Sequence, residues 1–214
     1  MERDNQTPVL IVGTEAAGRM AMDIAHDLDV LVFGFLTEEK EDVNKEINDI
    51  LIVAELGTKD SDTLLADPKV QVVIADSSPT NRKDYLRQIG DKEAKITSFV
   101  HPMNAISPHS KIGMGNLVGA GFVVNANSAV GNMNLIGNYV SIGADSEVGD
   151  YTTIQDGVRI GQEVVIEDEA FIGMGAIIHA SVKIGAKSSV AAGSVVLQDV
   201  PADTSVFGNP AKPL

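Results

Sequence analysis

The chain has 214 residues, 44% of them apolar, with 16 basic and 30 acidic side chains and a net charge of −14. Such a length suits one or two domains, and the complete lack of Cys excludes a disulfide scaffold, a thiol nucleophile and a cysteine-based zinc site. The charge divides as −9 over residues 1–100 (11 basic, 20 acidic) and −5 over residues 101–214 (5 basic, 10 acidic), so both halves repel a phosphate backbone and nucleic acid is not an expected partner.

The polar start, residues 1–7, does not read as a signal peptide, and no later run nears the roughly 18 apolar residues of a membrane span. No membrane is expected, and cytoplasm is the expected compartment. Pro8–Gly13 reads as a short buried strand ending in Gly, and Ala16–Leu28 as a helix. Val30–Leu36 is a second strand, and the charged stretch Thr37–Glu46 a solvated loop or helix face. Further strands are expected at Ile50–Ala54, Val70–Ala75 and Ile96–Phe99, with helices near Asp60–Ala66 and Thr80–Ile89. Alternating strand and helix implies an α/β domain over residues 1–99, a small Rossmann-like doubly wound parallel sheet, with a linker near Thr97–His101.

In such sheets ligands bind at the carboxyl ends of the strands, and the first strand-to-helix turn is the usual phosphate cradle. Here that turn reads Gly13-Thr14-Glu15-Ala16-Ala17-Gly18-Arg19. Glu15 sets a carboxylate where an anion would sit, while Arg19 supplies compensating charge. Gly13 and Arg19 are the substrate-binding candidates, against the plainer alternative of a turn kept for packing.

From Ile106 to Val196 every sixth residue is Ile or Val, sixteen positions without a slip. Neither a helix, with period 3.6, nor a strand, with period 2, keeps one face at that spacing. Short strands coiled into a three-sided solenoid do, one hexad to each side. Gly follows the aliphatic at 113, 119, 131, 137, 143, 149, 161, 173 and 185, where a corner leaves a side chain crowded. Small residues two places before the aliphatic, such as Ser128, Ser146, Thr152 and Ala170, let coils stack closely. The expectation is a parallel β-helix of about five coils over residues 100–214.

The linker His101-Pro102 with Ile106-Ser107-Pro108, the hexads, and the tail Val206-Phe207-Gly208-Asn209-Pro210-Ala211-Lys212 resemble the sugar O- and N-acyltransferases related to sialic acid O-acetyltransferases and bacillosamine-type N-acetyltransferases. The resemblance spans nearly the whole chain. It implies a left-handed β-helix, a homotrimer, acetyl-CoA held in clefts between adjacent helices, and an N-terminal domain that binds a nucleotide-linked sugar. Flat faces with outward aliphatics such as Val123, Leu135 and Val165 suit packing about a threefold axis.

The chemistry departs from that pattern. Acyl transfer needs a general base near the acceptor and donors for the developing oxyanion. The family supplies the base from a His-Asp hexad, which in ungapped register corresponds to Ile142-Gly143-Ala144-Asp145-Ser146-Glu147, with a second His at the end of the next hexad. Ala144 stands in the place of the base and Thr153 in that of the second His. Loss of the base removes on the order of 10²- to 10⁴-fold, which a free amine acceptor withstands better than a hydroxyl. Asp145 retains the motif's Asp and needs burial to act as a base. His179, in a later coil, is the candidate for a relocated catalytic group. His101 reads as structural, His109 lies several coils below, His26 is a solvated helix residue, and four scattered His give no metal site.

For the cofactor, Gly173, Met174, Ala192 and Gly193 match family positions lining the CoA groove, with Thr153 alongside. Lys183, Lys187 and Lys212 cluster in the last coils, where they meet CoA phosphates or simply aid solubility. The family's Gly-x-Gly-Gly-His turn is also altered, with Glu15, Ala16 and Ala17 at its last three positions, and Thr37 replaces the first acid of the segment that follows Gly34-Phe35. Three readings result: an acetyl-CoA-dependent acyltransferase acting on a sugar or nucleotide-sugar with altered catalysis; a noncatalytic relative that binds CoA or sugar or scaffolds a sugar-modifying pathway; and a transferase for an unrelated small acceptor.

Overall fold

The computed structural model describes residues 7–90 and 94–214. Residues 1–6, most of the polar start read above as no leader, lie outside the described residues. The chain divides into two compact units, Met1–Phe99 and Val100–Leu214.

The first unit runs β1 (Val9–Val12), α1 (Ala16–Asp27), β2 (Val32–Thr37), a 3₁₀ turn at Lys40–Asp42, β3 (Glu46–Ile47), β4 (Ile50–Glu55), α2 (Lys59–Leu65), β5 (Gln71–Ile74), α3 (Pro79–Ile89) and β6 (Lys95–Ile96). The sheet order is β3-β4-β2-β1-β5-β6. All pairs are parallel except the β3–β4 hairpin. All four β1 residues are buried, as a strand covered on both faces requires. α1 buries Ala17, Gly18, Ala21, Ile24 and Ala25, one stripe at helical spacing. Thr58 opens α2 through a capping box with Ser61, and Ser78 followed by Pro79 opens α3.

Two features differ from the sequence reading. Thr37–Glu46 is followed by a tight hairpin whose turn residues Asn48 and Asp49 take φ of 48° and 66°, the geometry of a two-residue hairpin loop. The single strand expected at Ile96–Phe99 is two: β6 lies beside β5, while Phe99–Val100 joins a different sheet.

The second unit is a left-handed parallel β-helix of hexapeptide repeats with three walls. The first wall has eight strands from Phe99–Val100 to the tail, the second six from Ala105–Ile106 to Val195–Val196, and the third five from Lys111–Ile112 to Lys183–Ile184. Register advances by one coil of 18 residues, as in Leu117, Leu135, Thr153, Phe171 and Ser189. Every aliphatic rung from Val118 to Val196 is buried. Ile106 is 38% exposed and Ile112 half-buried, since no coil lies beneath them. At the other end Ser205–Gly208 adds a last parallel strand beside Ser189–Val190, and Ala211–Pro213 folds back antiparallel on it and closes the first wall.

The glycines after the rungs are required by coil stacking. A Cβ on Gly161 would sit 2.7 Å from the Ala180 nitrogen of the next coil, and one on Gly185 would meet Ala202. The chain turns three residues past each rung instead, at a left-handed position that recurs every sixth residue from Gly115 to Gly193. Inward polar residues tie the coils together. Asn134 Oδ1 accepts from the Thr152 N–H (2.6 Å) and hydroxyl (2.9 Å), and Ser146 Oγ accepts from the Val164 N–H (3.1 Å). These groups are buried, so the bonds supply partners that water cannot.

Candidate functional site

Three walls make three edges, each marked by its own set of left-handed residues. The first edge carries Tyr139, Gly157, Gly175 and Gly193; the second Asn127, Asp145, Glu163 and Ser181; the third Met133, Tyr151, Glu169 and Lys187. All take φ near 60°, which an L side chain adopts at some cost.

The two catalytic candidates share the second edge. Asp145 is exposed and accepts from Asn127 Nδ2 (3.0 Å). The burial that would make it a base is absent. His179 is also exposed, with Nδ1 3.2 Å from the Ala180 carbonyl oxygen. Strand register places Gly143, Gly161 and His179 in successive coils, so His179 lies two coils above the hexad of Asp145. Ala144 is half-buried between Gly143 and Asp145. Glu163, in the coil between, accepts from the Ser181 hydroxyl (2.9 Å).

Gly173, Met174, Ala192 and Gly193 gather on the first edge. Gly157, Gly175 and Gly193 have nothing within 4 Å of an added Cβ. Nine residues other than glycine take the same φ along this helix, from Asn127 to Lys187. Backbone geometry alone therefore does not demand three glycines in succession, and this stretch of edge is left bare. Lower on the same edge, side chains seal the backbone: Asn138 Oδ1 accepts from the Ala120 N–H (2.9 Å), and Asp156 Oδ1 from the Asn138 N–H (2.7 Å). Above Asp156 that ladder stops. The Met174 N–H donates to Gln155 Oε1 (3.0 Å), and the Ala192 N–H has no acceptor among the described residues. Met174 and Ala192 are exposed.

Of the remaining cofactor candidates, Thr153 precedes that edge on the first wall, Lys212 lies beside Phe207 at its top, and Lys183 and Lys187 lie away from it. Thr153, on the outer side of the first wall, is only 2% exposed. Lys187 is exposed on the third edge. Lys183 is committed to Glu167, Nζ to Oε1 2.6 Å, and Lys212 is exposed in the tail. A groove of about 580 Å³ on the third wall is lined by Ala129, Glu147, Val165 and Glu167 and by Asp150 and Asp168. Asp150 and Asp168 cap the N–H groups of Asn132 (2.7 Å) and Asp150 (2.8 Å) in the coils below them, so their place is structural.

In the first unit, Gly13 is buried with φ of 110°, and a Cβ there would run into the Ala75 carbonyl at the end of β5. A Cβ on Gly18 would in turn meet the Gly13 carbonyl. Both glycines thus permit close packing of backbone. Arg19 is exposed, with Nη1 3.4 Å from the Thr14 carbonyl oxygen. Because β2 lies on one side of β1 and β5 on the other, the connections after β1 and β5 leave the sheet in opposite directions, and the crevice between those two strands is where such folds hold ligands.

Asp76, just beyond β5, accepts from the Ser78 N–H (2.6 Å), Asn81 Nδ2 (3.1 Å) and the Tyr85 hydroxyl (3.4 Å). Tyr85 is buried, and its burial, with the Asp76 and Glu38 carboxylates beside it, holds its hydroxyl far above the ordinary tyrosine range. Thr37 is buried, and its hydroxyl accepts from the Glu39 N–H (3.1 Å). The Glu38–Tyr85–Asp76 cluster escaped the sequence reading; the helix start Ser78-Pro79 after a strand that ends near an Asp was its one local signal.

Residues 127–162 and 163–198 match the family model for the bacterial transferase hexapeptide (six repeats). No curated protein sequence matches the chain at a significant level. Solved structures do. PerB from Caulobacter crescentus, in complex with CoA and GDP-perosamine, is 22% identical, with 97% of each chain covered and a TM-score of 0.89. The acetyltransferase domain of PglB from Neisseria gonorrhoeae is 23% identical, with 98% of this chain and 100% of that one covered and a TM-score of 0.85. WeeI from Acinetobacter baumannii is 23% identical, with 96% and 99% covered and a TM-score of 0.85. Residues 127–198 thus carry the hexapeptide repeat that this family model describes. Both units of the chain, in their order, have the fold of these structures.

Proposed function

We propose that the chain is an acetyl-CoA-dependent acyltransferase that modifies an amine on a sugar or nucleotide-linked sugar, works as a homotrimer and acts in the cytoplasm. The observation that carries this reading is the bare first edge, Gly157, Gly175 and Gly193 flanked by Met174 and Ala192. The pantetheine arm of CoA has two amides that need backbone partners along a narrow path. An edge bare at its three glycines, with N–H groups one coil apart at about 4.8 Å, suits it. PerB, on the same fold, was solved with CoA and a nucleotide-linked sugar.

Met174 and Ala192 are assigned to the arm through their N–H groups, Gly173 and Gly193 to its close approach, and Lys187 to the CoA phosphates. Gly13 and Arg19 are assigned to the sugar-nucleotide side, Gly13 by shaping the turn and Arg19 by charge. Within one copy the first and second edges diverge across the second wall. A neighbouring copy brings one against the other, which makes a cyclic assembly part of the site.

In the reaction the acceptor nitrogen attacks the thioester carbon, the C–S bond breaks, and the amine's proton leaves as the CoA thiol forms. An amine already carrying a free lone pair withstands loss of the base better than a hydroxyl does, which fits Ala144 at the place of the family His. His179 is left to receive the proton afterwards through water, and the exposed Asp145 to orient that water. The test is thiol release from acetyl-CoA over a panel of amino-sugars and nucleotide-linked amino-sugars. Release dependent on an amine acceptor supports the reading, and CoA binding without release on any acceptor makes the chain a noncatalytic binder.

A further inference from the structure

We propose that Gln155 is a gate on the cofactor edge, its side-chain carbonyl holding the Met174 N–H closed until an acyl-CoA displaces it; this rests on the acyl-CoA reading above. The pattern of edge caps shows why the contact is unusual. On this edge, Ala120 and Asn138 are capped by a side chain from the coil above, eighteen residues on. For Met174 that position is Ala192, which has no acceptor to offer. Gln155 reaches up from the coil below instead, at 3.0 Å.

Gln155 itself follows the rung Ile154, a place held by Gly in the preceding coils of this edge, at Gly119 and Gly137. A side chain has thus been admitted at the one level where it closes a donor beside the bare glycines. Gln155 is half-buried and Met174 exposed, so an incoming carbonyl can compete for the same N–H. The gate sets affinity: the free protein holds one hydrogen bond that the complex must exchange, and without it cofactor binding tightens by the worth of that bond.

The test compares CoA binding by calorimetry for the full chain, Gln155→Ala and Gln155→Met, the last keeping bulk without an acceptor. Both variants are expected to bind CoA roughly two- to twelvefold more tightly. Equal affinity across all three overturns the gate, as does tightening in Gln155→Ala alone, which assigns the effect to bulk. Binding by none of the three overturns the acyl-CoA reading itself. If the variants fail to fold, amide NMR of the unmodified chain decides. Saturating CoA is expected to shift both the Met174 N–H and the Gln155 side-chain amide, and a Gln155 amide that stays put at saturation overturns the gate.

Discussion

Asp145 and His179 occupy the same edge of the β-helix two coils apart, a rise of roughly 10 Å at about 4.8 Å per coil. They form no dyad. Asp145 is held by Asn127 below it, and His179 lies against its neighbour's carbonyl, so neither orients the other.

Restoring the missing imidazole therefore gives a sharp expectation. Ala144→His is expected to raise turnover of an amine acceptor by on the order of 10²-fold, within the range general-base assistance supplies. His179→Ala is expected to lower the basal rate. Steady-state rates of thiol release decide both, and unchanged turnover in Ala144→His shows that the base does not limit the reaction.

The two kinds of glycine make opposite predictions. Gly161→Ala forces a methyl against the Ala180 backbone and is expected to cost about 1–3 kcal/mol. Gly175→Asn meets open space at a conformation Asn tolerates, so stability is expected to change by less than about 0.5 kcal/mol while CoA binding is lost. Denaturant melts paired with a CoA titration separate the two roles.

The inward polar ladder is expected to be necessary to the fold. Asn134→Leu strips the Thr152 N–H and hydroxyl of their acceptor in a buried coil. The expected loss is about 1–3 kcal/mol, read from a denaturant midpoint.

Glu167 and Lys183 give a pH dependence. The Lys183 ammonium, then the Ala186 N–H, holds the Glu167 carboxyl below the usual range, and Glu167 raises Lys183 in return. The stabilisation from Glu167 is full above the ordinary glutamate range, about pH 4.3, and is lost as pH falls through its depressed value. That from Lys183 is full below about pH 10.4 and is lost as pH rises through its raised value. Both groups are solvent-exposed, so salt near 1 M is expected to weaken the effect. Thermal melts of Glu167→Gln are expected to show a shallower loss of stability on the acid side than the parent.

Much of the fold was legible because burial leaves a period in the sequence. The rungs from Val118 to Val196 are apolar for one reason, and they fall where the spacing placed them. The left-handed corner was not legible, because residues as different as Met133, Glu163 and Lys187 occupy it and leave no common chemistry to read. The glycines after the rungs were visible, but their cause is the backbone of the next coil, eighteen residues away. The cluster of Glu38, Asp76 and Tyr85 was hidden for the same reason: sheet order, which no local pattern encodes, sets β2 and β5 either side of β1. Gln155 reads as one polar residue in a hexad until the coil above it is in place.

The most direct measurement is a crystal structure of the protein with CoA. The account predicts the pantetheine arm lying along Gly157, Gly175 and Gly193 of one copy, against the edge of a neighbouring copy that carries Ala144 and Asp145. A CoA seated elsewhere, or a monomer whose bare edge stays empty at saturating cofactor, would contradict it.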